Sequence, residues 1–386
     1  MGGVPSLAIV AFVMSHIPNP RMLRRIRMAS KSHRVHLVFW DRCAGRGSAI
    51  PSGIDDSVAL WPIEIHAPFG GRLRRIGPLI RFIPRAMYSL RCICPDIIHC
   101  GGMDMLLIAA LYGRVSRKAV RIIYEVGDLE PITYGDPEGI SEVLARPLLR
   151  KLERSLCRAV SLLIVTSPAF WTEYYRMMIP QGRTLFIPNA PEPGPFEGYR
   201  RSAHTGFCVG FIGSVRYPQQ LKMLIDVVQE MPGVRVLIAG DGTSQAEIAD
   251  YCRGKDRVDV RGRYDYLVDI ARLYGEIDFT YAVYDTGSAN VRVALPNRLY
   301  ESIVCETPIL CASGTVLGDF VVEHGIGVAV NANNREELRE ALHMLTTDGV
   351  LVQQMRERMR NLRLTSCSHS GENSLEQAYE RILGAV

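Results

Sequence analysis

A phosphate-seeking cation and a hydrogen-bond-accepting carboxylate stand about one helical turn apart in Leu-Pro-Asn-Arg-Leu-Tyr-Glu-Ser-Ile-Val-Cys-Glu-Thr-Pro-Ile-Leu, residues 295–310. Pro296 suits the first turn of a helix, where its missing N–H costs nothing. Asn297, Arg298 and Glu301 then fall at i, i+1 and i+4 and crowd one side of the first turns. Leu299, Tyr300, Ile303 and Val304 supply an apolar face. A helix N-terminus carrying a cation attracts phosphate, and a carboxylate one turn on can accept hydrogen bonds from a sugar diol. That pairing is what a nucleotide-sugar site needs. An amphipathic helix with a solvated Arg–Glu pair would show the same spacing, so the flanking sequence has to separate the two.

Upstream, Val209-Gly-Phe-Ile-Gly-Ser-Val-Arg216 reads as a strand running into a small-residue turn at Gly213 and Ser214. Such a turn exposes backbone N–H groups to phosphate, and Arg216 just beyond it can reach a diphosphate bidentately. Ile238-Ala-Gly-Asp-Gly242 repeats the pattern at Gly240, and Val260-Arg-Gly-Arg-Tyr264 repeats it again at Gly262, Arg263 and Tyr264. Cys311-Ala-Ser-Gly-Thr-Val-Leu317 adds Gly314 and Thr315 after a further strand. Four turns of this kind in one domain point their backbones to a single sheet edge.

These turns need a scaffold, and the chain alternates short apolar runs with longer periodic segments throughout. Strands are expected at Leu7–Val13, Val35–Phe39, Asp96–His99, Val120–Glu125, Leu162–Thr166 and Thr184–Ile187, then at Phe207–Ile212, Val234–Ala239, Arg257–Val260, Asp278–Ala282, Pro308–Ala312 and Gly327–Val330. Helices are expected between them, including Arg72–Arg91, Asp104–Val115, Ser141–Val160, Leu221–Met231, Tyr264–Tyr274 and Leu295–Glu306. This predicts an α/β chain of two doubly wound, Rossmann-like domains. Residues 1–190 form the first, the proline-rich 191–206 a linker, 207–365 the second, and 366–386 a C-terminal helix whose docking partner the pattern does not name. Ligands of such sheets lie beyond the carboxyl ends of the strands, so the expected site is the cleft between the domains.

Composition narrows the class of protein. Nearly half of the 386 residues are apolar, and no run reaches the roughly 18 residues that span a bilayer. Leu7 to Met14 is short, lacks a preceding basic segment and reads as a buried strand. Ten cysteines without paired spacing suit a reducing, cytoplasmic setting. Cys92, Cys94, His99 and Cys100 lack the usual zinc spacing and read as small fillers. Residues 1–195 carry 25 Lys and Arg against 15 Asp and Glu, whereas 196–386 carry 20 against 25. The first half therefore faces the more anionic partner. Within it, the stretch 70–91 interleaves Arg72, Arg74, Arg75, Arg81 and Arg85 with Leu73, Ile76, Leu79, Ile80, Phe82 and Ile83. Cations beside an apolar face suit an anionic membrane surface and a peripheral, cytoplasmic-side location. Pro78 and Pro84 argue against one long regular helix there. Few aromatics and no groove-reading motif accompany the arginines, which argues against nucleic acid.

Residues 207–385 resemble the donor-binding domain of GT-B glycosyltransferases, in particular family 4. The resemblance rests on Gly-Ser-Val-Arg (213–216), Ile-Ala-Gly-Asp-Gly (238–242), Gly-Arg-Tyr (262–264), Tyr-Gly-Glu-Ile-Asp-Phe (274–279), Pro-Asn-Arg-Leu-Tyr-Glu (296–301) and Thr-Pro-Ile-Leu (307–310). The first half matches more loosely, through Pro20-Arg21, Ile98-His99, Tyr124-Glu-Val-Gly-Asp128, Thr166-Ser167 and Ile187-Pro-Asn189. The resemblance implies a retaining transferase that uses a nucleotide-diphosphate sugar and acts on a glycan or lipid-linked acceptor. Glu301 would hold the ribose hydroxyls, Arg216 the diphosphate, and the backbone after Gly262 the base. No cofactor or metal is implied, the nucleotide sugar being a substrate. Three departures stand out. An earlier glutamate of the family pattern is Val293 here, a lysine after the first glycine turn is replaced by Gln219-Gln220, and a histidine of the acceptor side is Gly127. Lys222 or Arg298 could supply the missing charge. Asp128 is the nearest polar residue for catalysis on the acceptor side, and it equally suits a loop cap. A nucleotide-sugar epimerase, or a binding protein without turnover, would share much of this pattern.

Overall fold

Val, Ile and Leu fill both faces of most of the short runs, so neither face can meet water and these runs become strands covered on both sides. A computed structural model describes residues 7–43, 54–67, 75–135, 140–202, 205–366 and 370–384. Unit 1 takes Met1–Pro188 and Gly371–Val386, and unit 2 takes Asn189–Ser370. In unit 1 the order is β1 (Ile9–Met14), α1 (Pro20–Ser30), β2 (Arg34–Asp41), β3 (Ala59–Glu64), α2 (Ile76–Ile93), β4 (Ile97–Gly101), α3 (Met103–Val115), β5 (Arg121–Val126), α4 (Pro131–Tyr134), α5 (Ile140–Cys157), β6 (Leu162–Val165) and β7 (Thr184–Phe186). In unit 2 it is β8 (Phe207–Ile212), α6 (Pro218–Gln229), β9 (Val234–Ala239), α7 (Gln245–Tyr251), β10 (Val258–Gly262), α8 (Tyr266–Gly275), β11 (Phe279–Ala282), α9 (Ala289–Val293), α10 (Asn297–Val304), β12 (Ile309–Ala312), α11 (Val316–Glu323), β13 (Gly327–Val330), α12 (Arg335–Thr347) and α13 (Gly349–Ser366). The last helix, α14 (Ser370–Gly384), returns to unit 1.

Both sheets are wholly parallel. Unit 1 has the order β3-β2-β1-β4-β5-β6-β7 and unit 2 the order β10-β9-β8-β11-β12-β13. The strand order reverses beside β1 and β4 in unit 1 and beside β8 and β11 in unit 2. These are the switch points where open α/β sheets leave a crevice. The Gly213 turn follows β8 and therefore lies at the switch point of unit 2.

Three sequence expectations change. β3 has no counterpart among the expected strands, because Pro62 within Ala-Leu-Trp-Pro-Ile-Glu argues against a strand; as the edge strand it tolerates a residue without an N–H. α2 is one helix of 18 residues despite Pro78 and Pro84. Pro78 falls in the first turn, where it is harmless, and buried Phe82 on the same helix stacks on Trp40 at 5.0 Å. Arg72 and Arg74 lie outside the described residues. The segment expected as a linker, 191–206, is anchored through its described residues: Phe196 enters the core of unit 2 with Ile212 and Tyr274, and the Tyr199 hydroxyl donates to the Cys305 carbonyl at 2.8 Å.

The two faces of the unit 1 sheet are covered differently. α1 and α14 pack on one face, where Met22, Ile26, Leu375, Tyr379 and Ile382 join Val10, Phe12, Ile97 and Ile123. α2, α3 and α5 lie side by side on the other, with α3 packed between its two neighbours. α14 is tied down by more than apolar contact, because the Tyr379 hydroxyl meets His99 Nδ1 at 2.8 Å in a wholly buried setting. His99 also stacks on Phe12 at 4.8 Å.

Tyr379→Phe should therefore leave a buried acceptor unmet at a cost of about 1–3 kcal/mol. Calorimetry should show a Tm several degrees lower, at ~2–4 °C per kcal/mol. An unchanged Tm would mean that apolar contact alone docks α14.

Candidate functional site

In unit 2 the glycine turns interlock before they meet any ligand. Gly213 N–H donates to Ala239 O at 2.8 Å, Val215 N–H to Asp241 O at 2.9 Å, and Gly240 N–H to Gly262 O at 2.6 Å. A Cβ on Gly240 would lie 1.9 Å from Gly213 O, so the close approach requires glycine there. The amides of Gly213, Val215 and Gly240 are thus spent on bracing one turn against the next. Expected from sequence as phosphate donors, these turns brace one another into a platform at the ends of β8, β9 and β10. Gly213, at φ +124°, holds the turn open toward α10.

Arg298 fills that opening. Its guanidinium lies 3.7 Å above the Phe211 ring centroid and donates through Nη1 to the Tyr284 hydroxyl at 3.0 Å. A Cβ on Gly213 would come within 2.9 Å of Arg298 Nη2, so the cation is pinned directly against the turn. Arg216 is exposed just beyond the turn, its Nε donating to Ser214 Oγ at 2.9 Å. One arginine thus touches Ser214 and the other Gly213. Lys222, the other candidate for the missing family lysine, is committed to Glu247 at 2.7 Å and to the face of Tyr251. Gln219 is exposed, and Gln220 is buried with its amide donating to Asn333 Oδ1.

Glu301 lies one turn along α10 and is 4 % exposed. The Tyr266 hydroxyl donates to its Oε1 at 3.0 Å and the Tyr274 hydroxyl to its Oε2 at 3.1 Å. Burial pushes the Glu301 carboxyl above the usual carboxylate range, with both tyrosines and Arg298 pulling the other way. Among the described residues no ion pair joins Glu301 to Arg298, and both are buried. A solvated surface pair on an amphipathic helix is thereby ruled out. The helix begins at Asn297, with Pro296 as its N-cap, two residues later than expected.

The remaining site residues are distributed unevenly. Asn297 is exposed at the start of α10, and Tyr264 is half-buried near Glu301, its phenol pushed up first by burial and then by that carboxylate. Arg263 is exposed and only 3.9 Å from Asp241, a weak contact. Gly314, at φ +68°, opens onto free space. The Thr315 hydroxyl caps α11, accepting from Gly318 N at 2.9 Å and donating to Ala312 O at 2.8 Å. Val293 is buried in α9 as an apolar packing residue. Sequence reasoning missed Tyr266 and Tyr274, whose placement two turns apart on α8 was the available signal, and Phe211 and Tyr284.

In unit 1 the family histidine position is filled by another residue. A Cβ on Gly127 would fall 1.8 Å from Arg21 Nη1, so the Arg21 guanidinium occupies the space a side chain would take. Arg21 Nε is 3.2 Å from Glu125 Oε1, and Arg25 Nε is 3.4 Å from Oε2. His99 Nε2 is 3.0 Å from the same Oε2. Burial alone would push the Glu125 carboxyl up, but Arg25, His99 and Arg21 outweigh it and hold it at about 2. Burial also lowers His99, against the pull of Glu125. A neutral His99 then carries its proton on Nε2, facing the carboxylate, and accepts from Tyr379 on Nδ1. Both nitrogens being taken, His99 joins no cysteine site; Cys92 and Cys94 are exposed and Cys100 is buried. Asp128 stands exposed just past β5, beside this cluster.

Comparisons with known proteins identify the family and the fold. Residues 206–348 match the family model described as Glycosyl transferases group 1, and residues 25–192 match Glycosyltransferase Family 4. A curated relative, the succinoglycan biosynthesis protein ExoL of Rhizobium meliloti, is 25% identical over 87% of this chain and 84% of its own length. Among solved structures, sucrose-phosphate synthase of Thermosynechococcus elongatus has a TM-score of 0.78 at 15% identity, covering 98% of this chain and all of that one. Anabaena HepE in complex with UDP has a TM-score of 0.73 at 16% identity, covering 97% of this chain and all of its own. At such identities the structures speak for the fold, which is GT-B.

A buried acid with a raised pKa burdens the fold above that pKa, and the burden is lifted as pH falls toward the ordinary value of about 4.3. Glu301→Gln should therefore raise the Tm at neutral pH by about 2–4 °C, and the gap should close as pH is lowered toward 4.5. A lower Tm for the variant at neutral pH would show that the two tyrosines compensate the carboxylate fully.

Proposed function

The chain belongs to the glycosyltransferases of group 1 and family 4, and from that premise we propose that it transfers a sugar from a nucleotide-diphosphate donor to a glycan or lipid-linked acceptor, with retention, during assembly of a cell-surface polysaccharide. One observation carries the donor site. Arg298 and Glu301 are buried in one helix without pairing, each held by aromatic groups beside the Gly213 turn. Core packing has no use for two unpaired buried charges, since apolar residues of similar size would serve it better.

Arg216 and Arg298 take the diphosphate and stabilise it as negative charge develops on the leaving group. Glu301 accepts from the ribose hydroxyls and so fixes the donor in reacting position. The backbone at Gly262 and Arg263 takes the base, with Tyr264 and Asn297 beside it and the Gly314 turn offering further amides. Charge neutralisation rests on arginines in this reading, with no metal assigned a part. Retention requires the acceptor hydroxyl to attack the face that the diphosphate leaves, and its proton can pass to the departing phosphate oxygen. No strong protein base is then needed. The placement of Arg21, a permanent cation, in the Gly127 position supports this. Asp128 is the acceptor-side carboxylate that orients the attacking hydroxyl.

UDP-sugars are the first donors to try, because Anabaena HepE was solved with UDP and with UDP-glucose. The succinoglycan role named for ExoL supports polysaccharide assembly. No helix among the described residues is long and apolar enough to cross a membrane, and the exposed Arg81, Arg85 and Arg91 of α2 support peripheral contact with an anionic membrane on its cytoplasmic face.

A thermal-shift panel of UDP-, GDP-, ADP- and TDP-sugars tests the donor site. One nucleotide class should raise the Tm of the wild type. Glu301→Ala and Arg216→Ala should each weaken that donor about tenfold to a hundredfold. A response that survives both substitutions would place the donor elsewhere.

A further inference from the structure

Helix α5 shows solvent an apolar first half and a cationic second half. Ile140, Val143, Leu144 and Leu148 are 80, 51, 75 and 70 % exposed. Arg150, Lys151, Arg154 and Arg158 follow on the same outward arc, all exposed. The helix contains two carboxylates and both face inward: Glu142 is buried, and Glu153 accepts from the Tyr134 and Tyr175 hydroxyls at 2.6 and 2.7 Å. That inward anchoring fixes which face is presented. The apolar periodicity that would ordinarily mark a core-facing stripe here points away from the protein.

Charge decides what can cover this face. A second copy would have to cover Arg150, Lys151 and Arg154 as well as the apolar half, and the helix has no exposed carboxylate to answer those cations. An anionic bilayer suits both halves, since leucines enter the boundary between headgroups and acyl chains while cations meet phosphate. The basic end of the helix continues into a hollow of about 440 Å³ lined by Arg121, Arg158, Arg183 and Arg381, with no carboxylate among its lining residues. α2, in the same helix layer, likewise exposes Ile80 and Tyr88 beside Arg81 and Arg85 and has no carboxylate at all.

We propose that α5 is the principal membrane anchor of this protein, seating Ile140, Leu144 and Leu148 in an anionic phospholipid surface with Lys151 and Arg154 on its phosphates. The inference rests on the reading of a membrane-side acceptor and moves the main contact from α2 to α5.

Sedimentation of the full chain with vesicles of phosphatidylcholine and phosphatidylglycerol in equal parts, against phosphatidylcholine alone, tests it. The wild type should bind the mixed vesicles and bind the neutral ones weakly. Leu144→Gln with Leu148→Gln, and separately Lys151→Gln with Arg154→Gln, should each lower partitioning about tenfold or more. Tm and the nucleotide-sugar response should stay unchanged in both. Wild-type binding by the leucine variant would overturn the proposal. Loss confined to Arg81→Gln with Arg85→Gln would also overturn it, returning the contact to α2 and leaving the proposed function intact. A wild type that ignores both vesicles would remove both membrane contacts, with the donor response still testing the transferase. Self-association of the wild type in light scattering, abolished in the leucine variant, would assign the face to a second copy.

Discussion

Everything in the donor half turns on two charges buried in one short helix without neutralising each other. A protein interior tolerates an isolated charge only when aromatic faces, hydrogen bonds or a ligand stand in for water. Here Phe211 and Tyr284 stand in for Arg298, and Tyr266 and Tyr274 stand in for Glu301. The Arg298 guanidinium keeps Nη2 and Nε against the Gly213 turn. The glycine turns serve the same end: by hydrogen bonding to one another they fix a surface against which Arg298 is held, instead of remaining a loose set of amides. In the proposed donor site, diphosphate and ribose would offset the cost of burying these charges, as in other preorganised sites.

The acceptor half solves a comparable problem by neutralisation. Glu125 is surrounded by Arg21, Arg25 and His99, and the imidazole passes the restraint to Tyr379 on a helix from the far end of the chain. The cluster ties α1, β4, β5 and α14 together beneath the switch point of the unit 1 sheet. It also aims the Arg21 guanidinium into the space above Gly127. The absence of the family histidine is therefore a replacement of one side chain by another from a different helix.

Sequence made the two parallel sheets legible, because runs such as Phe207–Ile212 and Val234–Ala239 are apolar on both faces and coincide with β8 and β9. It hid β3, where Pro62 looks like a breaker until the strand is known to lie at an edge. It named Arg298 and Glu301 but not their partners: Tyr266 and Tyr274 share a face of α8, yet only tertiary packing shows that this face meets Glu301, or that Phe211 meets Arg298. It marked the last segment as a helix, but not that Tyr379 on it meets His99. The periodicity of α5 was visible as well; which face turns outward depends on where Glu142 and Glu153 find their places, and that is a property of the folded unit.

The central claim is that the Glu301 carboxylate reads the ribose diol of the donor. Calorimetric titration of UDP and 2′,3′-dideoxy-UDP into the wild type and Glu301→Gln measures that coupling directly. The account predicts that removing the two hydroxyls weakens binding about tenfold or more in the wild type and has little further effect in the variant. Equal losses in both proteins would show that Glu301 does not touch the ribose and would contradict the account.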